Sequence, residues 1–284
     1  MGRRSFAKIT KNLDLSSRIR KGDETPRPWN TLGMFGRTAP VEFEIGSGKG
    51  MFLANAAAAD PSRDFIGVEV AYRYALMSAA GLVKAGLKNA LMVCADAAKL
   101  LEDWVPSSSL VAVHVYFPDP WWKKSHRKRR IMRTDVVRMI EDRLLPGGKL
   151  WFRTDVEEYF FSALDTVKVD TSLEGPFPDP RLPRDPEVFL GGLSFSTDGV
   201  GADSGGAVPE TGGCFGQDPD DPFRSGENKN LPYYGENGNQ NPPVPRAGRG
   251  EFLSHFERRT RLNGLPVWGA VFVKPVGKAT GEAE

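Results

Sequence analysis

Between Val41 and Arg153 the chain repeats one unit, a short apolar run followed by a turn and a helical segment. Val41 to Ile45, Phe65 to Val70, Leu91 to Cys94 and Leu110 to Tyr116 read as strands. Gly50 to Ala59, Tyr72 to Ala85 and Ile131 to Leu145 read as helices, the first stopped by Asp60-Pro61 and the last by Pro146-Gly147-Gly148. That breaker leads into a strand from Lys149 to Arg153, and Val267 to Val273 makes a last strand. Strands alternating with helices of this length give parallel βαβ units, hence an α/β fold with a doubly wound, mostly parallel sheet and helices on both faces. Right-handed crossovers then bring every strand-to-helix loop to one edge of the sheet. Residues that do chemistry are expected on that edge.

The flanks read differently. Residues 1–40 are rich in cations, lack periodicity and are broken by Pro26, Pro28 and Pro40, so they are expected to form a basic arm laid on a domain spanning 41–284. The window 191–250 holds 14 Gly and 7 Pro in 60 residues, above the roughly 25–30% at which an aperiodic segment reads as low-complexity. It is expected to be an insertion with little fixed structure. Two cysteines and three histidines in 284 residues supply neither a disulfide framework nor a zinc cluster, so no metal is expected. No run approaches the roughly 20 apolar residues that cross a bilayer, and the basic start Met1-Gly2-Arg3-Arg4 has no apolar core behind it. A soluble, cytoplasmic protein with no membrane partner is expected. With a net charge of only +2, affinity for a polyanion must come from local clustering.

Glu44-Ile45-Gly46-Ser47-Gly48-Lys49-Gly50 carries a strand through a glycine turn into a helix. Such spacing lets backbone approach a ligand closely at a helix N-terminus. It lacks the dinucleotide spacing, and it lacks the Lys-Ser/Thr pair of a phosphate loop. Glu44 would repel a pyrophosphate and attract the cationic end of S-adenosylmethionine. Glu69, at the end of the second strand, is placed to take both ribose hydroxyls, and Asp96, after the third, to accept from an adenine amino group. For any one of these acids a helix N-cap is the simpler reading. Three at successive strand ends favour a cofactor site.

The run Phe117-Pro118-Asp119-Pro120-Trp121-Trp122 follows the fourth strand and leads into Lys123-Lys124-Ser125-His126-Arg127-Lys128-Arg129-Arg130. One carboxylate is thereby fixed between prolines, with flat aromatic surface and dense cation beside it. A basic run alone is as readily a solvated face. Starting directly after a strand-end acid, it suits gripping a nucleic acid while one base is modified.

These motifs resemble the bacterial tRNA (guanine-N7)-methyltransferases, class I S-adenosylmethionine enzymes. The likeness is carried by Glu44 to Gly50, Gly67-Val68-Glu69, Asp96, Thr154-Asp155, Phe256-Glu257-x-Arg259 and Val267-Trp268, and most specifically by Phe117-Pro118-Asp119-Pro120-Trp121 with its basic tail. The resemblance implies a Rossmann-like, seven-stranded sheet and cofactor contacts at Glu44, Gly46, Gly48, Glu69, Asp96 and Asp119. It implies a catalytic or guanine-positioning duty for Asp119, and substrate contacts at Lys123, Asp155, Ser254 and Glu257. RNA contacts are implied at Ser125, His126, Arg127, Lys128, Arg129 and Arg130. For Asp155, a helix N-cap is an equal alternative. The chain departs from the family pattern at Trp122, at Ser254 for Thr, at His255 for Lys and at Gly269 for Asp.

The implied activity is methyl transfer to N7 of a guanosine in tRNA, by resemblance guanosine 46 of the variable loop, by a monomer or homodimer. A class I methyltransferase with another substrate explains the acids and leaves the basic loop unused. A non-catalytic RNA-binding relative leaves the acids unused.

Overall fold

Apolar residues on both sides of each central strand build a sheet buried on both faces, as parallel sheets require. The computed structural model describes residues 12–25, 27–182, 257, 260 and 266–276. The 191–250 stretch, Ser254 and His255 lie outside these. In chain order the elements are strand β1 (Ile19–Lys21), helix α1 (Thr31–Phe35), β2 (Val41–Ile45), α2 (Met51–Ala59), β3 (Asp64–Val68), α3 (Tyr72–Lys84), β4 (Ala90–Cys94), α4 (Ala97–Asp103), β5 (Leu110–Tyr116), α5 (Thr134–Arg143), β6 (Leu144–Thr154), α6 (Glu157–Asp170), β7 (Glu174–Pro178) and β8 (Trp268–Val273). A 3-10 helix spans Lys124–Arg129.

The strands lie in the order β1-β4-β3-β2-β5-β6-β8-β7. All pairings are parallel except those of β8 with β6 and β7. The chain winds outward from β2 through β3 to β4, then returns to place β5 on the other side of β2. The topological switch point therefore falls between β2 and β5, where ligands bind in doubly wound sheets.

The expected seven strands become eight. The extra one is β1, which pairs Ile19 with Met92, Arg20 with Val93 and Lys21 with Cys94. This part of the expected arm thus extends the sheet. Downstream, the Trp104 indole donates to the Thr25 carbonyl at 2.9 Å and the Arg27 guanidinium lies 3.8 Å from the Trp104 ring centroid. The helix expected from Ile131 to Leu145 is shorter. Pro146-Gly147-Gly148 lies within β6, at an irregularity where the β5 pairing slips from Leu144 to Lys149.

The period-2 alternation of the strands divides the core. Phe43, Ile45, Ile66, Val68 and Val115 pack with α4, α5 and α6 on one face. Phe65, Met92 and Tyr116 pack with α2 and α3 on the other. Around β5 and β6 that second face turns polar, with His114, Tyr116 and Arg153 all buried.

Candidate active site at the carboxyl edge of the sheet

The strand order sets the order of the strand-end acids. Along the edge stand Asp96 after β4, Glu69 after β3, Glu44 within β2, Asp119 after β5 and Asp155 after β6. Residues separated in sequence by up to a hundred positions or so are thus brought to one line.

Gly46, Gly48 and Gly50 all have positive φ, at 75°, 53° and 72°. The first two face open space, since a Cβ built on either meets nothing within 4 Å. Gly50 differs: a Cβ there would overlap the Ser78 side chain of α3. Gly46 and Ser47 donate their amides to the Val68 carbonyl at 2.9 and 3.0 Å, turning the loop across the end of β3. Glu69 then locks it. Its Oε2 accepts from the Gly48 amide at 2.9 Å and its Oε1 from the Ala71 amide at 2.8 Å. Each oxygen keeps a second lone pair, so the carboxylate can still take ribose hydroxyls.

Glu44 is buried, and its Oε2 has no hydrogen-bond partner. Burial pushes its carboxyl up to about 8, and the nearby Glu69 charge adds to the rise. A buried carboxyl with one unpartnered oxygen beside an open glycine cradle fits a ligand that brings its own positive charge and donors. The amino and sulfonium groups of S-adenosylmethionine meet that demand.

Asp96 is exposed and caps α4, its Oδ1 accepting from the Ala98 and Lys99 amides at 2.9 and 3.3 Å. The simpler reading considered for this acid therefore describes one of its oxygens. At Asp155 the cap reading fails: the residue is exposed, the N-cap of α6 is Val156, and it is Thr154 Oγ1 that accepts from the Val156 amide at 3.2 Å.

Asp119 is exposed at the tip of a turn braced at both ends. Phe117 and Trp121 carry φ of 51° and 42°, a conformation costing a bulky residue about 1–3 kcal/mol. Neighbouring contacts hold it. The Phe117 amide donates to the Arg153 carbonyl at 2.8 Å, and Arg130 Nε donates to the Pro120 carbonyl at 2.7 Å. Trp121 has His126 edge to face at 5.6 Å and the Arg129 guanidinium 5.0 Å from its ring centroid. Trp122, Lys123, Ser125, Lys128 and Arg129 are exposed and His126 is half-buried. The side chains of Lys124 and Arg127 lie outside the described set.

Two residues expected to touch RNA or substrate point inward. Arg130 is buried, with its guanidinium 4.9 Å from the Tyr159 ring centroid. It leaves the exposed cationic set because its Nε fastens the Asp119 turn. Glu257 is 1% exposed and gives its Oε2 to Arg153 Nη1 at 2.6 Å. Arg153 was not among the expected site residues. Its signal in the sequence is a lone cation closing an apolar strand, Leu150-Trp151-Phe152-Arg153, where burial demands partners.

Among the described residues no group of three or more His, Cys, Asp or Glu could hold a metal, and no helix is long and apolar enough to cross a membrane.

A family model described as a putative methyltransferase matches residues 38–181, which contain the glycine turn, all five strand-end acids and the basic loop. The chain is 37% identical over 185 residues to the tRNA (guanine-N(7)-)-methyltransferase of Rhodopirellula baltica, covering 63% of this chain and 68% of that protein. It is 41% identical over 165 residues to that of Halorhodospira halophila, covering 55% and 70%. With that of Alcanivorax borkumensis it shares 42% over 150 residues, covering 52% and 63%. With the glycine turn, the strand-end acids and the Asp119 loop all inside the matched region, the chain belongs to the tRNA (guanine-N(7)-)-methyltransferase family, whose cofactor is S-adenosylmethionine.

Proposed function

We propose that this protein methylates N7 of a guanosine in tRNA, by resemblance guanosine 46 of the variable loop, in the cytoplasm. One observation supports this most. Asp119 follows β5, the strand that pairs with Glu44's β2 across the switch point, and the same turn runs directly into exposed Trp122, Lys123, Ser125, Lys128 and Arg129. The strand-end acid at the switch point and a polyanion grip thus share one loop. A small-molecule enzyme has no use for the second, and a binding protein none for the first.

When bound, S-adenosylmethionine supplies the methyl group together with a positive charge. Glu44 and the Gly46–Gly48 cradle receive its amino acid end, Glu69 its ribose, and Asp96 its adenine. Guanine N7 offers a free lone pair, the acceptor that proteins read in the major groove, and gives up no proton when methylated. The protein therefore needs no general base. Its work is to orient the purine and to meet the charge that develops on it. Asp119 supplies that counter-charge, which favours the transition state over the ground state. Lys123 and Asp155 flank the acceptor base, and the exposed cations past Lys123 hold phosphates.

Incubation with labelled cofactor and bulk unmodified tRNA, followed by digestion to nucleosides, tests the reading. Label in 7-methylguanosine supports it. Label in another nucleoside, or none with cofactor demonstrably bound, overturns it.

A further inference from the structure

Arg153 closes β6 as a buried cation between two carboxylates far away in the chain. Its Nε donates to Asp179 Oδ2 at 2.7 Å and its Nη1 to Glu257 Oε2 at 2.6 Å. All three are buried, at 1%, 3% and 1% exposure. The fork geometry of guanidinium lets one planar group serve two acids at once, which an ammonium on a single stem does less well. Truncating the cation would take a charge-assisted partner from each of two buried carboxylates, so the trio is set as a unit.

The main chain of the same residue does a second job. The Arg153 carbonyl accepts from the Phe117 amide at 2.8 Å, at the start of the strained turn that presents Asp119. Thr154 and Asp155 follow at once, with Asp155 exposed on the same edge. Three pieces of the acceptor side therefore meet at one residue: the Asp119 turn through its backbone, Asp155 through the chain, and Glu257 through its side chain. Arg181 supports the arrangement by donating to Asp179 Oδ1 at 3.1 Å and to the Tyr116 hydroxyl at 2.6 Å.

We infer that Arg153 is a positioning residue for methyl transfer, holding the Asp119 turn and the Glu257 segment in register for the acceptor base. This rests on the reading of a guanosine acceptor given above. Glu257 then acts through Arg153. The cofactor acids of that reading, Glu44 in β2 and Glu69 just after β3, take other partners.

The test is Arg153→Lys, which keeps the charge and loses the fork, with Glu257→Gln as a second variant that keeps the shape. Misplacement by about 1 Å can cost on the order of 100-fold in rate, so kcat for unmodified tRNA should fall at least tenfold in Arg153→Lys. Affinity for S-adenosylmethionine should stay within about twofold. Glu257→Gln should show the same split, more weakly. Unchanged kcat in a folded Arg153→Lys protein overturns the inference. If Arg153→Lys does not fold, unchanged kcat in Glu257→Gln does so. Should the wild-type protein not methylate tRNA, the acceptor reading has failed, and the clamp is judged by hydrogen exchange instead. Faster exchange at the Phe117 amide and in the peptide containing Glu257, with β2 to β4 unaltered, supports it, and unaltered exchange overturns it.

Discussion

The amide of Gly48 donates to Glu69 Oε2 at 2.9 Å, so the acid expected to hold ribose also pins the loop expected to hold the rest of the cofactor. The other oxygen of Glu69 takes the Ala71 amide at 2.8 Å. Glu69→Ala should therefore weaken S-adenosylmethionine binding twice over, by removing hydroxyl acceptors and by releasing the glycine turn. Charge-assisted hydrogen bonds contribute about 1.5–3 kcal/mol each, which corresponds to roughly ten- to a hundredfold in Kd for one bond. Calorimetry that finds the affinity unchanged removes Glu69 from the site.

Glu44 predicts a pH dependence with a definite sign. Its carboxyl, ordinarily near 4.5, is raised to about 8 by burial and by Glu69. The folded, cofactor-free protein thus binds a proton that the unfolded chain releases above about pH 4.5. The stability contributed by this group is complete below that pH and is lost as pH rises through about 8. Thermal unfolding from pH 5 to 8 should show this slope in the wild type and lack it in Glu44→Gln. A cationic ligand favours the ionised form, so cofactor binding at pH 7 should release about one proton. Calorimetry in two buffers of different ionisation enthalpy measures that release, and a value of zero contradicts the placement.

The basic loop and Asp119 should separate grip from chemistry. Neutralising exposed Lys123, Lys128 and Arg129 should weaken tRNA binding and leave cofactor binding alone. Each lost phosphate contact should flatten the slope of log affinity against log salt by roughly 0.7–0.9. Asp119→Asn should keep that slope and lose kcat. Arg130→Ala should resemble Asp119→Asn more than the loop variants, because its Nε holds Pro120 and its side chain is buried. A salt slope unmoved by the triple neutralisation assigns the run to a solvated face.

Asp179 and Glu257 meet on one guanidinium, so the intervening chain leaves and returns at nearly the same place. Replacing residues 191–245 by a short Gly/Ser linker should leave the sheet folded. Closure entropy changes by only about 0.6 kcal/mol per doubling of loop length. Circular dichroism and thermal unfolding of the shortened protein check this, and a protein that no longer folds shows that the segment belongs to the core.

Local signals made much of the architecture legible. The sequence-based bounds of Val41 to Ile45 and Leu110 to Tyr116 match the strands because apolar-rich, β-branched stretches end at Gly46 and before Pro118. Helix α6 went unread although Tyr159, Phe160, Ala163, Leu164 and Val167 form an apolar stripe at helical spacing. That stripe was available. Strand β1 was not, because three residues of ordinary composition become a strand only by borrowing the free edge of β4.

The sequence by itself determined the strand-helix alternation, the glycine turn and the residues that end each strand, because backbone sterics and side-chain period act over a few neighbouring positions. Which backbone amides each acid accepts from was decided only in three dimensions, as Asp96 at its cap and Glu69 at Gly48 and Ala71 show. Arg130 and Glu257 make the same point more sharply. Each belongs to a motif that reads as a contact surface, yet each is buried against a partner, Pro120 or Arg153. A charge enters the interior only where a complementary group meets it, and Arg153 and Glu257 stand 104 residues apart in the chain, beyond the reach of any local pattern.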